Sequence, residues 1–214
     1  MPIAAKGMLL TSMDVDPAHE LDFNRWYDRE HLAERVAIPG FVEARRYIAH
    51  DAAPRYLSLY STKTFEVLDS PAYRAALANQ TPWSKANIAR FQNMIRSVAR
   101  ITISRGRGRG AALGLVRLRG ATTDLRDRLA SRFDPELHDG VIGISLLEGD
   151  PSLSRSLTNP ADDSGASDWF ILIEGTSIDA VASLTPSHFS GVLNDATVVS
   201  SGTYRLMFDL AAAD

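Results

Sequence analysis

The sequence predicts an α+β protein made of two ferredoxin-like β-α-β-β-α-β repeats packed as an α+β barrel. Three observations predict it. Strand-like and helix-like segments alternate in the same order twice along 214 residues. The run Arg105-Gly106-Arg107-Gly108-Arg109-Gly110 lies across the midpoint, and alternating Gly and Arg packs neither a helix face nor a strand face, so it reads as a flexible linker. Each four-stranded sheet has an open apolar face, and setting the two face to face covers both within one chain. The expected division is residues 1–105, a linker at 106–110, and a degenerate repeat at 111–214.

Each element has a local reason. Residues 8–13 are a short apolar run suited to a buried strand. Asp16-Pro17 supplies an N-cap followed by proline at the first helical position, and Pro39-Gly40 stops a helix running to about Val36. Residues 41–51 and 55–64 are rich in Tyr, Val, Ile and Leu, with Ala52-Ala53-Pro54 between them, the pattern of a hairpin. Ser70-Pro71 and Thr81-Pro82 repeat the cap-plus-proline start and give one broken helical segment to about Phe91. Residues 94–104 make a long β-branched strand. The second repeat is expected to place strands at 113–119, 141–147, 169–174 and 197–209 and helices at 122–133 and 177–184. Residues 149–167, rich in Ser, Asp, Pro and Asn, read as a long mobile loop.

Composition narrows the function. Hydrophobic residues make up 45% of the chain and charged residues 23%, with a formal net charge of −3; this excludes a basic nucleic-acid binder. No apolar run approaches the roughly 20 residues of a membrane span. The order of a signal peptide is missing from Met1-Pro2-Ile3-Ala4-Ala5-Lys6-Gly7. Cysteine is absent, which removes disulfides, thiolate metal sites and Cys nucleophiles. The expectation is a cytoplasmic protein with a small-molecule substrate, no nucleic-acid or membrane partner, and homo-oligomer formation optional. The halves differ: residues 1–107 carry net charge +4 and 11 aromatics, residues 108–214 carry −7 and 6. Chemistry is expected in the first.

The first helix carries the main constellation. At roughly 100° per residue, Phe23, Trp26, Tyr27, Glu30, His31 and Glu34 fall within one arc, and Leu21, Leu32 and Val36 fall on another that reads as the ordinary core contact. Aromatics interleaved with carboxylates and an imidazole suit neither a core face nor a solvated one. Tyr27 and His31 are four residues apart, so their side chains can meet. His31 can shuttle a proton near neutral pH, and Tyr27 can hold a substrate oxygen. The plain alternative is a half-exposed amphipathic helix in which Glu34 neutralises Arg35 or Arg29.

These residues also carry a resemblance. Phe23-Asn24-Arg25-Trp26-Tyr27-Asp28-Arg29-Glu30-His31-Leu32-Ala33-Glu34-Arg35-Val36, with Ile38-Pro39-Gly40-Phe41 after it, resembles the signature of the dimeric α+β barrel superfamily, specifically its EthD-like members. Ser70-Pro71-Ala72-Tyr73 and Thr81-Pro82-Trp83 resemble the second-helix region of the same proteins, so the likeness covers about residues 7–104. The resemblance implies muconolactone-type isomerases, polyketide cyclases, cofactor-free monooxygenases or chlorite-dismutase-like haem proteins as relatives, and aromatic catabolism or polyketide metabolism as the setting. It also implies that His31 aligns with a helix histidine used as an acid-base group in some members. Ala33 stands where relatives often have proline. The second half has no Trp-Tyr-x-x-x-His equivalent, only Arg132-Phe133 and His138, which implies one site per chain.

Strand alternation adds candidates. Arg45 and Tyr47 share one face of their strand and Arg46, Ile48 and His50 the other; Tyr56, Ser58 and Tyr60 share a face, as do Arg96 and Arg100. A pocket floored by tyrosines and arginines suits an aromatic or unsaturated carboxylate. The expected site is therefore His31 and Tyr27 as catalytic pair, with Trp26, Phe23, Arg45, Tyr47, Tyr56, Tyr60, Trp83 and His50 around the substrate. His19, His138 and His188 are explained by surface positions. Neither a dedicated metal spacing, a nucleotide-binding glycine loop nor a nucleophile elbow is present. Haem would need His31 or His188 as axial ligand. The leading expectation is an isomerase-, lyase- or cyclase-type enzyme that uses no cofactor, acting on a small hydrophobic or aromatic-derived carbonyl compound by proton transfer. A cofactor-independent monooxygenase on a phenol and a non-catalytic small-molecule-binding protein are the alternatives.

Overall fold

The computed structural model describes residues 6–106, 108–155, 165–184, 189, 191–193 and 196–213. Eight strands close into one antiparallel barrel in the order β1-β3-β2-β8-β5-β7-β6-β4. They are β1 (Gly7–Asp14), β2 (Phe41–Asp51), β3 (Tyr56–Thr62), β4 (Gln92–Gly106), β5 (Ala112–Arg119), β6 (Val141–Gly149), β7 (Trp169–Gly175) and β8 (Thr197–Ala211). The order β4-β1-β3-β2 in the first half recurs as β8-β5-β7-β6 in the second, and β2/β8 and β4/β6 form the seams. Closure leaves no free sheet edge.

The barrel interior holds one apolar core, including Met8, Leu10, Leu57, Leu59, Leu113, Leu172 and Tyr204. It also holds an ionic cluster. Arg45 donates to Glu174 at 2.7 Å, and Glu43 accepts from Ser61 at 3.0 Å and pairs with Arg109. The cluster ties β2 to β7 and to the Arg-Gly run. Contrary to expectation, that run is no loose tether where it is described: Gly106 still belongs to β4, Arg109 is ion-paired, and a side chain at Gly110 would strike the Gly175 carbonyl. Arg107 lies outside the described residues.

Helices cover the outside. Asp16 accepts from the Ala18 N–H at 2.8 Å and starts a short 3-10 turn. Then come α1 (Glu20–Trp26), a π turn (Tyr27–His31) and α2 (Leu32–Val36), which Pro39 and Gly40 (φ 94°) terminate. Ser70 and Thr81 cap α3 (Pro71–Ala78) and α4 (Pro82–Ile88), accepting from Tyr73 and Ser84 N–H. In the second half, α5 (Thr123–Ala130) and α6 (Ile178–Ser183) are shorter than the expected segments. Leu21 is a correction: it is 65% exposed, whereas Leu32 is buried. The π turn is the reason, since one extra residue turns everything after it by roughly 100° relative to a regular helix. The aromatic arc, not an aliphatic stripe, meets the sheet.

The expected loop after β6 is described at both ends, and residues 156–164 lie outside the described residues. Its first part folds back on β4: Asp150 N–H donates to Val98, and the Ser154 hydroxyl both accepts from and donates to the Val98 backbone. Among the described residues no helix is long and apolar enough to cross a membrane.

Candidate functional site

Between the first-half sheet and its helices lies a cavity of about 310 Å³. Leu9, Thr11 and Met13 of β1, Tyr60 of β3 and Met94 and Arg96 of β4 form its floor. Its walls are Tyr27, His31 and Arg35 from the first helical segment, and Tyr73, Leu77, Gln80, Ile88 and Phe91 from the α3–α4 region. The size is at the lower end for a small-molecule pocket.

The π turn begins at Tyr27 and ends at His31, with the Leu32 N–H donating back five residues to the Tyr27 carbonyl. Such turns occur often at functional sites. Here it brings both side chains to the cavity, ring edge to ring face with centroids 5.0 Å apart. The His31 ring lies 4.2 Å from that of Trp26 and 6.1 Å from that of Tyr60. It retains 9% of its surface, and its Nδ1 is buried without a hydrogen-bond partner among the described residues. Burial first, then the charges of Arg35 and Arg46, hold its pKa well below the ordinary histidine value. These surroundings favour the neutral form of the ring.

The surrounding polar groups are sparsely satisfied. Tyr27 donates to the Met13 sulfur, a weak acceptor, at 3.8 Å. The Tyr60 hydroxyl and Thr11 Oγ1 are buried without a partner among the described residues. Burial pushes Tyr60 well above the usual tyrosine pKa, so it stays a donor. Behind the cavity, Arg46 is fully buried, bonded to Asn24 at 2.5 Å and Asp28 at 3.2 Å, and its guanidinium lies 4.3 Å from the Tyr27 ring centre. It fixes the tyrosine from the side away from the cavity.

Of the expected site residues, the structure brings Tyr27, His31 and Tyr60 together on this cavity. Trp26 and Phe23 are buried behind them, Trp26 donating to Ser84 at 3.0 Å. Tyr56 bonds to Glu20 at the helix foot, and Trp83 donates to Asp22 at 3.1 Å. Arg45 and Tyr47 point the other way, into the barrel, because alternate residues of β2 face opposite sides and the helix-facing side belongs to Arg46. His50 is exposed at the end of β2. It lines a second cavity, of about 330 Å³, with Asp51, Asp179, Gly114, Val181 and Leu184. His19 is exposed, His138 is partly buried, and His188 lies outside the described residues.

Sequence reasoning missed the apolar wall and Arg35, which it read as a partner for Glu34. The wall residues have no chemical signature. Arg35 had one: it stands one helical turn after His31 on the same face.

No family model and no curated protein matches the chain. Solved structures do resemble it. An anthrone oxidase-like protein superposes with a TM-score of 0.66 at 10% identity, covering 99% of this chain and 94% of the other. A candidate monooxygenase from Lactobacillus acidophilus gives 0.55 at 10% identity, covering 98% and 97%. A candidate chlorite dismutase gives 0.56 at 11% identity, covering 95% of each. At these identities the likeness establishes the fold alone: an α+β chain closed into an eight-stranded antiparallel barrel.

Haem would need His31 as its axial ligand and room for the whole macrocycle beside it. A cavity of about 310 Å³, at the small end for any ligand, does not offer that room.

Proposed function

We infer that this protein is an enzyme that abstracts a proton from a small apolar or aromatic-derived carbonyl compound bound in the first-half cavity. Its chain is read as a tandem of two ferredoxin-like repeats, the first EthD-like and carrying the site. The cytoplasm is the setting we assign to it. The observation that carries this reading is the pairing, by one π turn, of a neutral, under-bonded His31 with Tyr27 on a mainly apolar cavity. His31 takes the proton from the carbon beside the carbonyl, and the electron pair moves to the carbonyl oxygen. Tyr27 and Tyr60 donate to that oxygen, and Arg35 offsets its charge. The anion also supplies the counter-charge that lets His31 hold the proton despite its surroundings.

Return of the proton to another carbon completes an isomerase-type reaction without any cofactor. A second reading has its own support in the anthrone oxidase-like and monooxygenase neighbours. In it the same anion combines with dioxygen, and loss of water leaves a new carbonyl. One oxygen molecule is consumed per product.

The test uses aromatic ketones and phenols, anthrone included. Exchange of the acidic C–H is followed by proton NMR in deuterated buffer under nitrogen, and oxygen uptake is followed in air. Enzyme-dependent exchange without oxygen uptake supports the first reading, and oxygen uptake supports the second. In either, His31→Ala lowers the rate about a hundredfold to ten-thousandfold. An unchanged rate in a folded His31→Ala protein contradicts both.

A further inference from the structure

The cavity wall carries two guanidinium groups, and neither forms an ion pair among the described residues. Arg35 is only 5% exposed, and its guanidinium makes no hydrogen bond or ion pair among the described residues. Its chain neighbour Glu34 senses its charge without forming an ion pair, and burial and Glu30 raise the Glu34 pKa. The second cation, Arg96, donates to the carbonyls of Leu153 at 2.5 Å and Arg155 at 3.4 Å and to the Tyr73 hydroxyl at 3.4 Å. All three acceptors are neutral. Among the described residues no Asp or Glu lines the cavity; its remaining wall is aliphatic, thioether and aromatic apart from Thr11, His31 and Gln80.

Arg35 is largely buried, what it exposes opens on the cavity, and a mostly buried guanidinium without an ion pair is costly to keep. A ligand in the cavity would supply the opposite charge. A planar, five-donor guanidinium matches a two-oxygen or delocalised oxyanion better than a lone lysine does. Tyr27, Tyr60, Tyr73 and Phe91 around it offer ring faces and edges to a flat apolar body.

We propose that the cavity selects a monoanionic aromatic compound, a carboxylate or an ionised enol, with its oxyanion on Arg35 and its rings among these aromatics. The proposal rests on the cavity being the substrate site, and it assigns that site a charge preference that turnover alone does not require.

The experiment is calorimetric titration of the whole protein with two pairs of probes. The first pair is 1-naphthoate and 1-naphthamide, of nearly the same shape. The second is 2,4-dinitro-1-naphtholate and its neutral methyl ether, which separates an enolate-type oxyanion from a carboxylate. At least one anion is expected to bind about tenfold or more tightly than its neutral partner. Arg35→Gln removes that preference and Arg35→Lys, which keeps the charge, retains part of it, with folding checked by circular dichroism. If Arg35→Gln does not fold, the wild-type pairs and Arg35→Lys decide. Equal affinities within both pairs, no binding by either anion, or a full preference in folded Arg35→Gln overturns the proposal. The assay needs no catalysis. Anion preference without any turnover sinks the enzyme reading alone, and His31-dependent turnover with equal binding sinks this proposal alone.

Discussion

The two halves lay the same strand order beneath a helical cover, yet they use the space between sheet and helices differently. In the second half Leu125, Leu129, Phe133, Ile171, Phe189 and Leu193 pack there as a hydrocarbon core, with the second cavity opening beside Ile178, Val181 and Leu184. In the first half the corresponding layer holds a tyrosine-lined cavity with an imidazole and two guanidinium groups on its wall. Among the described residues, every buried polar side-chain atom without a partner belongs to the first half except Oε2 of Glu174. A closed barrel explains how this is tolerated. One half supplies packing, and the shared interior joins it to a half whose own packing is interrupted.

The largest expected effect breaks the link between the halves. Glu174→Ala removes the 2.7 Å partner of buried Arg45, leaves it only Glu43 at 3.6 Å, and should cost about 3–5 kcal/mol in urea unfolding. A loss below about 1 kcal/mol would mean that the halves do not lean on one another through this pair. Next comes packing. Leu129, fully buried, should cost about 2–5 kcal/mol when cut to alanine. Leu77, already on a cavity wall, should cost under about 1.5 kcal/mol, since the removed atoms had fewer neighbours to lose. Equal losses at the two positions would erase the contrast between a packed position and a cavity wall.

A smaller effect is expected at Tyr27. Tyr27→Phe keeps the ring contacts and removes a hydroxyl that donates to a sulfur, a weak acceptor, so stability should change little. Turnover should fall by roughly fivefold, the worth of about 1 kcal/mol of hydrogen bonding. No change in turnover would remove Tyr27 from the reaction. The least effect is in the pH dependence of stability. The folded pKa of His31 is depressed, so below about pH 6.5 the unfolded chain binds a proton that the folded chain refuses. Stability tied to this residue is complete above that pH and declines as pH falls through it. His31→Leu should flatten the decline between pH 7 and 5, and parallel profiles would show that the ring is not held neutral.

Much of the fold was legible because its signals are local. The proline-following caps at Asp16, Ser70 and Thr81 act as read, and β2 occupies the expected residues 41–51. The π turn was not legible. Nothing in Tyr27-Asp28-Arg29-Glu30-His31 marks an extra residue in the turn, and missing it misplaces Leu21. Alternation along β2 separated Arg45 from Arg46 but could not say which side faces the helices. That choice follows from barrel closure, which brings Glu174 of β7 opposite Arg45. Arg35 escaped because a sequence offers it a carboxylate next door, and only the fold shows the two failing to meet.

The central claim is that the first-half cavity is the functional site. Two-dimensional NMR of the isotopically labelled protein titrated with 1-naphthoate tests it most directly, because the two cavities share no lining residue. The prediction is that signals from Tyr27, His31, Tyr60, Tyr73 and Arg96 shift along saturable curves while those around His50, Asp179 and Leu184 stay in place. Shifts confined to the second cavity, or absent from the first at saturation, would contradict the account.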